Sequence, residues 1–159
     1  RIICDTHLRT PPQAQVVMTA REIPTILATC CADRNRYAAY TLAGCRVLCL
    51  NCKAGHVDLL QLMEQLGQEQ IDSILLEGGG TLNWAALESG IVQQVQAYIA
   101  PKLFGGKAAK TPVEGIGVPT PNDAFRLKNS RLFKLGEDFL IESEVDYPCS
   151  PGSLKKSEQ

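Results

Sequence analysis

One stretch constrains this chain more than any other: Ile74-Leu75-Leu76-Glu77-Gly78-Gly79-Gly80-Thr81-Leu82-Asn83-Trp84. Residues 73–76 form a short apolar run of the length expected for a buried strand. Three consecutive glycines come next, and they cannot continue a strand cheaply, because each loses more backbone entropy than other residues. They permit positive φ and close approach of another group to the backbone. Thr81 is placed to cap a helix over 82–89 that ends at Gly90. Such a strand–glycine–helix unit points free N–H groups and a positive dipole end at whatever lies over the glycines, and a phosphate or pyrophosphate fits there. A tight turn that packs a helix onto its strand would use the same residues. The spacing is neither G-x-G-x-x-G nor a P-loop. Glu77 ends the strand, at the carboxyl edge where open α/β sheets bind ligands.

The rest of the chain supplies a setting for that unit. Residues 1–5 (with Ile2, Ile3 and Cys4), 26–29 and 47–50 read as further buried strands. The loop 6–12 comes after the first strand and contains Pro11 and Pro12. Residues 37–42 suggest a short helix. Residues 51–55 read as a turn, with His56 placed to help cap the next helix. That helix, over residues 58–66, is the clearest in the chain, with Leu59, Leu62, Met63 and Leu66 on one face and Gly67 as its stop. Residues 92–103 alternate like a long strand, and 107–121 form a long loop rich in glycine, proline and threonine. Such a loop inside a compact domain is often functional. Residues 125–133 and 139–145 predict two antiparallel strands joined around Gly136. The order predicts a three-layer α/β/α architecture with a mixed sheet. Residues 1–146 would be the folded domain and 147–159 a disordered tail.

Composition narrows the partners. The 159 residues are 45% hydrophobic, enough for one domain with a real core, and the net charge of −1 favours neither nucleic acid nor an anionic membrane. No apolar run approaches the ~20 residues needed to span a bilayer. The seven cysteines are an odd number, so complete disulfide pairing is impossible. Cys49-Leu50-Asn51-Cys52 is formally C-x-x-C, but no second pair completes a zinc spacing, so no metal is expected and the thiols read as reduced, in a cytoplasmic protein. The chain opens in mid-pattern at Arg1, like a portion of a longer domain.

Two stretches together resemble the reductase domain of the bifunctional riboflavin-biosynthesis deaminase/reductase family. They are the glycine unit over 74–82 and Tyr98-Ile99-Ala100-Pro101-Lys102-Leu103-Phe104-Gly105-Gly106. Residues 1–9 and Gly55-His56-Val57-Asp58-Leu59 also match, and the likeness covers about residues 1–145. The resemblance implies a dihydrofolate-reductase-like fold. It implies NADPH-dependent reduction of 5-amino-6-(5-phosphoribosylamino)uracil to the ribitylamino product. It places Glu77 on the substrate. It places Thr6, Gly79, Gly80, Thr81, Leu82, Asn83, Trp84 and Ala85 on the cofactor. Nothing here resembles the family's zinc deaminase domain, and the family's reductase domain begins upstream of Arg1, where much of the substrate-phosphate pocket would lie. No general acid stands out, and Arg9, Arg34 and Lys53 are candidates for the cofactor 2′-phosphate by charge and position only. Two other readings stay open: a reductase of the same fold for another pyrimidine or pteridine, and a non-catalytic dimerisation or binding module. An open sheet edge would favour a homo-oligomer.

Overall fold

A computed structural model of the chain describes residues 1–147; the expected tail at 147–159 lies outside the described residues apart from Tyr147. The chain divides into two compact units, Arg1–Ile74 and the segment from Leu75 onward.

The first unit is a parallel sheet with helical connections. Strand β1 is Ile2–Cys4, β2 Ile26–Thr29 and β3 Arg46–Cys49, in the order β1-β2-β3. Ile3 pairs with Leu27 and Leu27 with Val47, so the apolar β-branched and aliphatic positions stay in step across the sheet. Helix α1 (Gln15–Met18) joins β1 to β2, a turn the prolines at 11 and 12 hid from sequence reading. A 3₁₀ turn at Arg34–Tyr37 leads into α2, Ala38–Ala43, which ends on Gly44 at φ +99°. Leu8, Val17, Ala20, Leu27, Tyr40 and Cys45 form the core. Val17 and Leu27 are wholly buried, and each contributes on the order of 2 kcal/mol by leaving water.

Residues 51–55 are more than a turn. Strands β4 (Cys52–Lys53) and β5 (His56–Val57) form a hairpin, closed by Ala54 and Gly55 at φ +49° and +80°. Two positive φ values in a two-residue loop are the twist-matched way to close a hairpin. Helix α3 then spans Leu59–Gln68, with Leu59, Leu62 and Leu66 buried. Asp58 caps it, accepting from the N–H groups of Leu60 and Gln61, so His56 is in the hairpin and not the cap. Gly67 does not stop the helix. It runs one residue further, and Gln70 takes the left-handed position at φ +61° while the Ile71 N–H reaches back to the Leu66 carbonyl.

The boundary between the units, Ile74 to Leu75, falls inside the strand expected over residues 73–76. Residues 73–76 form no strand ladder, and Leu75 is 75% exposed. An apolar run becomes a strand only where a neighbour completes its hydrogen bonds, and none does so among the described residues. Helix α4 comes next, at Gly80–Glu88. Strand β6 is Gln94–Ile99, shorter than the alternation over 92–103 suggests. A second 3₁₀ turn, Pro121–Asp123, is closed by reciprocal bonds between Thr120 and Asp123. Strands β7 (Arg126–Leu135) and β8 (Asp138–Asp146) form the expected hairpin, and the antiparallel order is β6-β8-β7. A bulge between Lys128 and Arg131 puts Asn129 at φ +53°. Leu140, Ser143 and Val145 are buried on β8.

Candidate nucleotide-binding segment

The sequence-expected residues fall into both units. Thr6 is in the first, half-buried in the loop that leaves β1. Its carbonyl accepts from the Cys30 N–H at 3.0 Å and the Thr29 hydroxyl at 3.2 Å, so the loop is stitched to the carboxyl end of β2. Asp5 holds the other side of this loop. Its carboxylate accepts from the Thr10 N–H at 2.6 Å and the Thr10 hydroxyl at 2.7 Å. Burial pushes the Asp5 carboxyl up, but bonds from the backbone at Arg9 and Thr10, the Thr10 hydroxyl and the Arg9 charge outweigh it and hold it below the usual range. Arg36 donates to the His7 and Leu8 carbonyls at 3.1 and 2.7 Å, and the Tyr40 hydroxyl to the Thr10 carbonyl at 2.7 Å. Leu8 is turned to φ +52° and buried by these ties. Asp5, Arg36 and Tyr40 do not stand out in the sequence, and only the loop's position after a strand hints at them.

Arg9, Arg34 and Lys53 are all exposed in the first unit. Three of the thiols there, Cys4, Cys30 and Cys45, are poor nucleophiles. Burial pushes Cys4 and Cys45 up, and burial together with the neighbouring Cys52 pushes Cys30 to about 12. Among the described residues no cluster of His, Cys, Asp and Glu is arranged to hold a metal ion. Among them, too, no helix is long and apolar enough to cross a membrane.

Glu77 and the glycines lie in the second unit. Gly78 and Gly79 have φ of +79° and +65°, a path that side-chain-bearing residues rarely take. Gly79, not Thr81, is the residue before the helix, and α4 starts one position before the threonine. No side chain caps it. The first bond of the helical ladder runs from the Asn83 N–H to the Gly79 carbonyl, so the N–H groups of Gly80, Thr81 and Leu82 have no acceptor within the helix. That donor set suits an anionic oxygen group. Glu77 is exposed just ahead of it.

The remaining expected residues build the helix's footing. The Asn83 side chain fills the space beside Gly78, where a Cβ would come within 2.5 Å of it, and donates to the Pro112 carbonyl at 2.8 Å. Trp84 meets Phe125 edge to face at 5.9 Å, and Phe125 meets Tyr147 in the same way at 5.7 Å. Leu82, Asn83, Trp84 and Ala85 are half-buried. They hold the segment in place more than they present it. A hollow on the antiparallel sheet, lined by Gln94, Asn129, Arg131, Glu142, Ser143 and Glu144, contains none of the expected residues.

Comparison with known proteins gives a consistent result. The family model described as the RibD C-terminal domain matches residues 1–141. The riboflavin biosynthesis protein RibD of Actinobacillus pleuropneumoniae is 47% identical over 148 residues, covering 93% of this chain and 39% of that protein. The 2,5-diamino-6-ribosylamino-4(3H)-pyrimidinone 5′-phosphate reductase of Methanothermobacter thermautotrophicus is 36% identical over 152 residues, covering 91% of this chain and 65% of that protein. This chain therefore spans less than two thirds of either relative. Among solved structures, Acinetobacter baumannii RibD matches with a TM-score of 0.75 at 22% identity, over 92% of this chain and 37% of that one. That likeness bears out the expected α/β class, with parallel strands in the first unit and antiparallel strands in the second.

Proposed function

This chain belongs to the RibD C-terminal domain family, and on that premise we propose that residues 1–146 are the nucleotide-holding portion of an NADPH-dependent reductase of riboflavin biosynthesis. Its substrate would be 5-amino-6-(5-phosphoribosylamino)uracil and its product the ribitylamino compound. The observation that carries this reading is the opening of α4. Two positive-φ glycines and three N–H groups without helical acceptors fit the phosphates of a dinucleotide. Gly79, Gly80, Thr81 and Leu82 would hold it, with Asn83, Trp84 and Ala85 fixing the helix behind them.

The cofactor, when bound, supplies a hydride for C1 of the sugar. The chain's own part is positional. Glu77, exposed where the glycines begin, would accept hydrogen bonds from substrate hydroxyls and fix the sugar's orientation, so proximity does most of the work. The 36% identity to a reductase named for a diamino-pyrimidinone favours a second reading, in which the base is taken before deamination. Assays of the complete protein on both substrates separate the two. A cytoplasmic, homo-oligomeric enzyme completes the proposal.

The test begins with NADPH titrated against NADH on this chain and on an N-terminally extended form. Micromolar, NADPH-selective binding is expected, and its absence from both forms rejects the reading. Glu77→Gln in the complete protein should lower turnover at least about tenfold, the loss expected for one bond to a charged group, with NADPH affinity within about twofold. Equal loss of both would remove Glu77 from the substrate.

A further inference from the structure

The long loop between β6 and β7 is almost wholly solvent-exposed. From Ala100 to Ala124 a single residue is even partly buried, and it is a charged one, Glu114. It lies on the first turn of α4. Its N–H donates to the Gly80 carbonyl at 3.1 Å, and its carboxylate accepts from the Thr81 hydroxyl at 3.3 Å. A Cβ on Gly80 would come within 2.4 Å of Glu114 Cγ, so only glycine leaves room for this side chain. The same loop touches down on both sides of Glu114. Pro112 accepts from Asn83, and Gly115 lies against the Trp84 indole, 2.4 Å from where its Cβ would be. Residues 112–115 thus form a strap over residues 80–84, the segment assigned above to the cofactor.

We propose that Glu114 is a specificity-determining residue of that segment: its carboxylate, held by the Thr81 hydroxyl, puts a negative charge beside the open N–H groups at the start of α4, and a phosphate-bearing cofactor must displace it. The inference rests on the cofactor reading of α4. A carboxylate and a phosphate are both stabilised at a helix start, and they repel each other if both occupy it. The strap therefore sets a threshold. A ligand displaces Glu114 only if its own phosphates bring more charge and more hydrogen-bond acceptors than one carboxylate does. Weak anions such as chloride or acetate do not, whereas a dinucleotide does. Gly80 is the position that makes the arrangement possible, because any side chain there would expel Glu114 permanently.

Glu114→Gln keeps an oxygen to accept from Thr81 and removes the charge, while Glu114→Asp keeps the charge. Titration of wild type and both variants with NADPH, at low and at high ionic strength, tests the assignment. E114Q should bind roughly two- to fivefold tighter than wild type in dilute buffer, the size of one charge at a helix end. The gain should shrink as salt screens the repulsion, and E114D should stay near wild type. Melting temperatures unchanged in E114Q would separate charge from folding. Binding by E114Q that equals or falls below wild type, or a gain that salt does not alter, overturns the assignment while leaving the cofactor reading intact. Absence of binding in every form, the extended chain included, removes the cofactor reading and this inference with it.

Discussion

Asp5 carries its charge in a place water barely reaches. Its carboxylate is stabilised by three bonds from Arg9 and Thr10, and the whole 6–10 loop, with Thr6 in it, hangs on that arrangement. Asp5→Asn should therefore cost about 1–3 kcal/mol at neutral pH. The direction of the shift sets the sign with pH. The folded carboxyl titrates below the unfolded value of ~3.9, so its contribution is present above that pH and is lost as pH falls through the folded value. Denaturant midpoints of wild type and D5N should differ at pH 7 and converge toward pH 3; a constant gap would show that the charge is not what matters. At this scale the sequence disclosed residues whose chemistry is local. The glycines were legible as a backbone feature, since Gly78 and Gly79 take the positive φ that such a run permits. Glu114 was not, since nothing in 112–115 announces that it folds back onto Gly80, more than thirty positions earlier. Asp5 looked like a strand stop, and its bonds to Thr10 depend on a loop path that the spacing does not encode.

Helix α3 shows what an element needs in order to be read in advance. Leu59, Leu62 and Leu66 recur at helical spacing, and Asp58 sits where a cap belongs. Only the stop differs from expectation, because Gln70 supplies the left-handed residue that Gly67 was expected to give. Asp58→Ala should lower stability by about 0.5–2 kcal/mol, since two N–H groups lose their acceptor. Asp58→Asn should recover most of that in the same denaturation experiment, which a role for His56 as the cap would not explain. Strand β2 was legible for a similar reason: Ile26–Thr29 is short, apolar and preceded by Pro24. Residues 73–76 carry the same local signature and remain unpaired. A helix completes its hydrogen bonds within itself, whereas a strand needs a partner, and composition cannot name the partner.

For the molecule as a whole, no further strand among the described residues pairs with β1 or β3 of the parallel sheet, or with β6 or β7 of the antiparallel one. Several large apolar side chains are also exposed: Leu75, Tyr98, Leu103, Phe104, Ile116 and Leu132 are each more than 60% exposed. Side chains of that size are usually covered by another surface, which supports the homo-oligomer proposed above. Sizing across a hundredfold range of concentration should show mass rising with concentration, and a monomer throughout would count against it. A net charge of −1 offers little repulsion to oppose association. The strap over α4 also alters how the chain between β6 and β7 must be counted. Pinned at 112–115, that connection is two closures, 100–111 and 116–125, in place of one. Closing a second ring costs on the order of 1 kcal/mol more in chain entropy than closing the single long one. The bonds from Asn83, Thr81 and Glu114 each return about 1 kcal/mol net at most, at a surface where water competes for them. Together the three bonds exceed that cost by no more than about 2 kcal/mol, so the pinned ring is favoured only modestly and the middle of the loop can be released without disturbing the strands on either side.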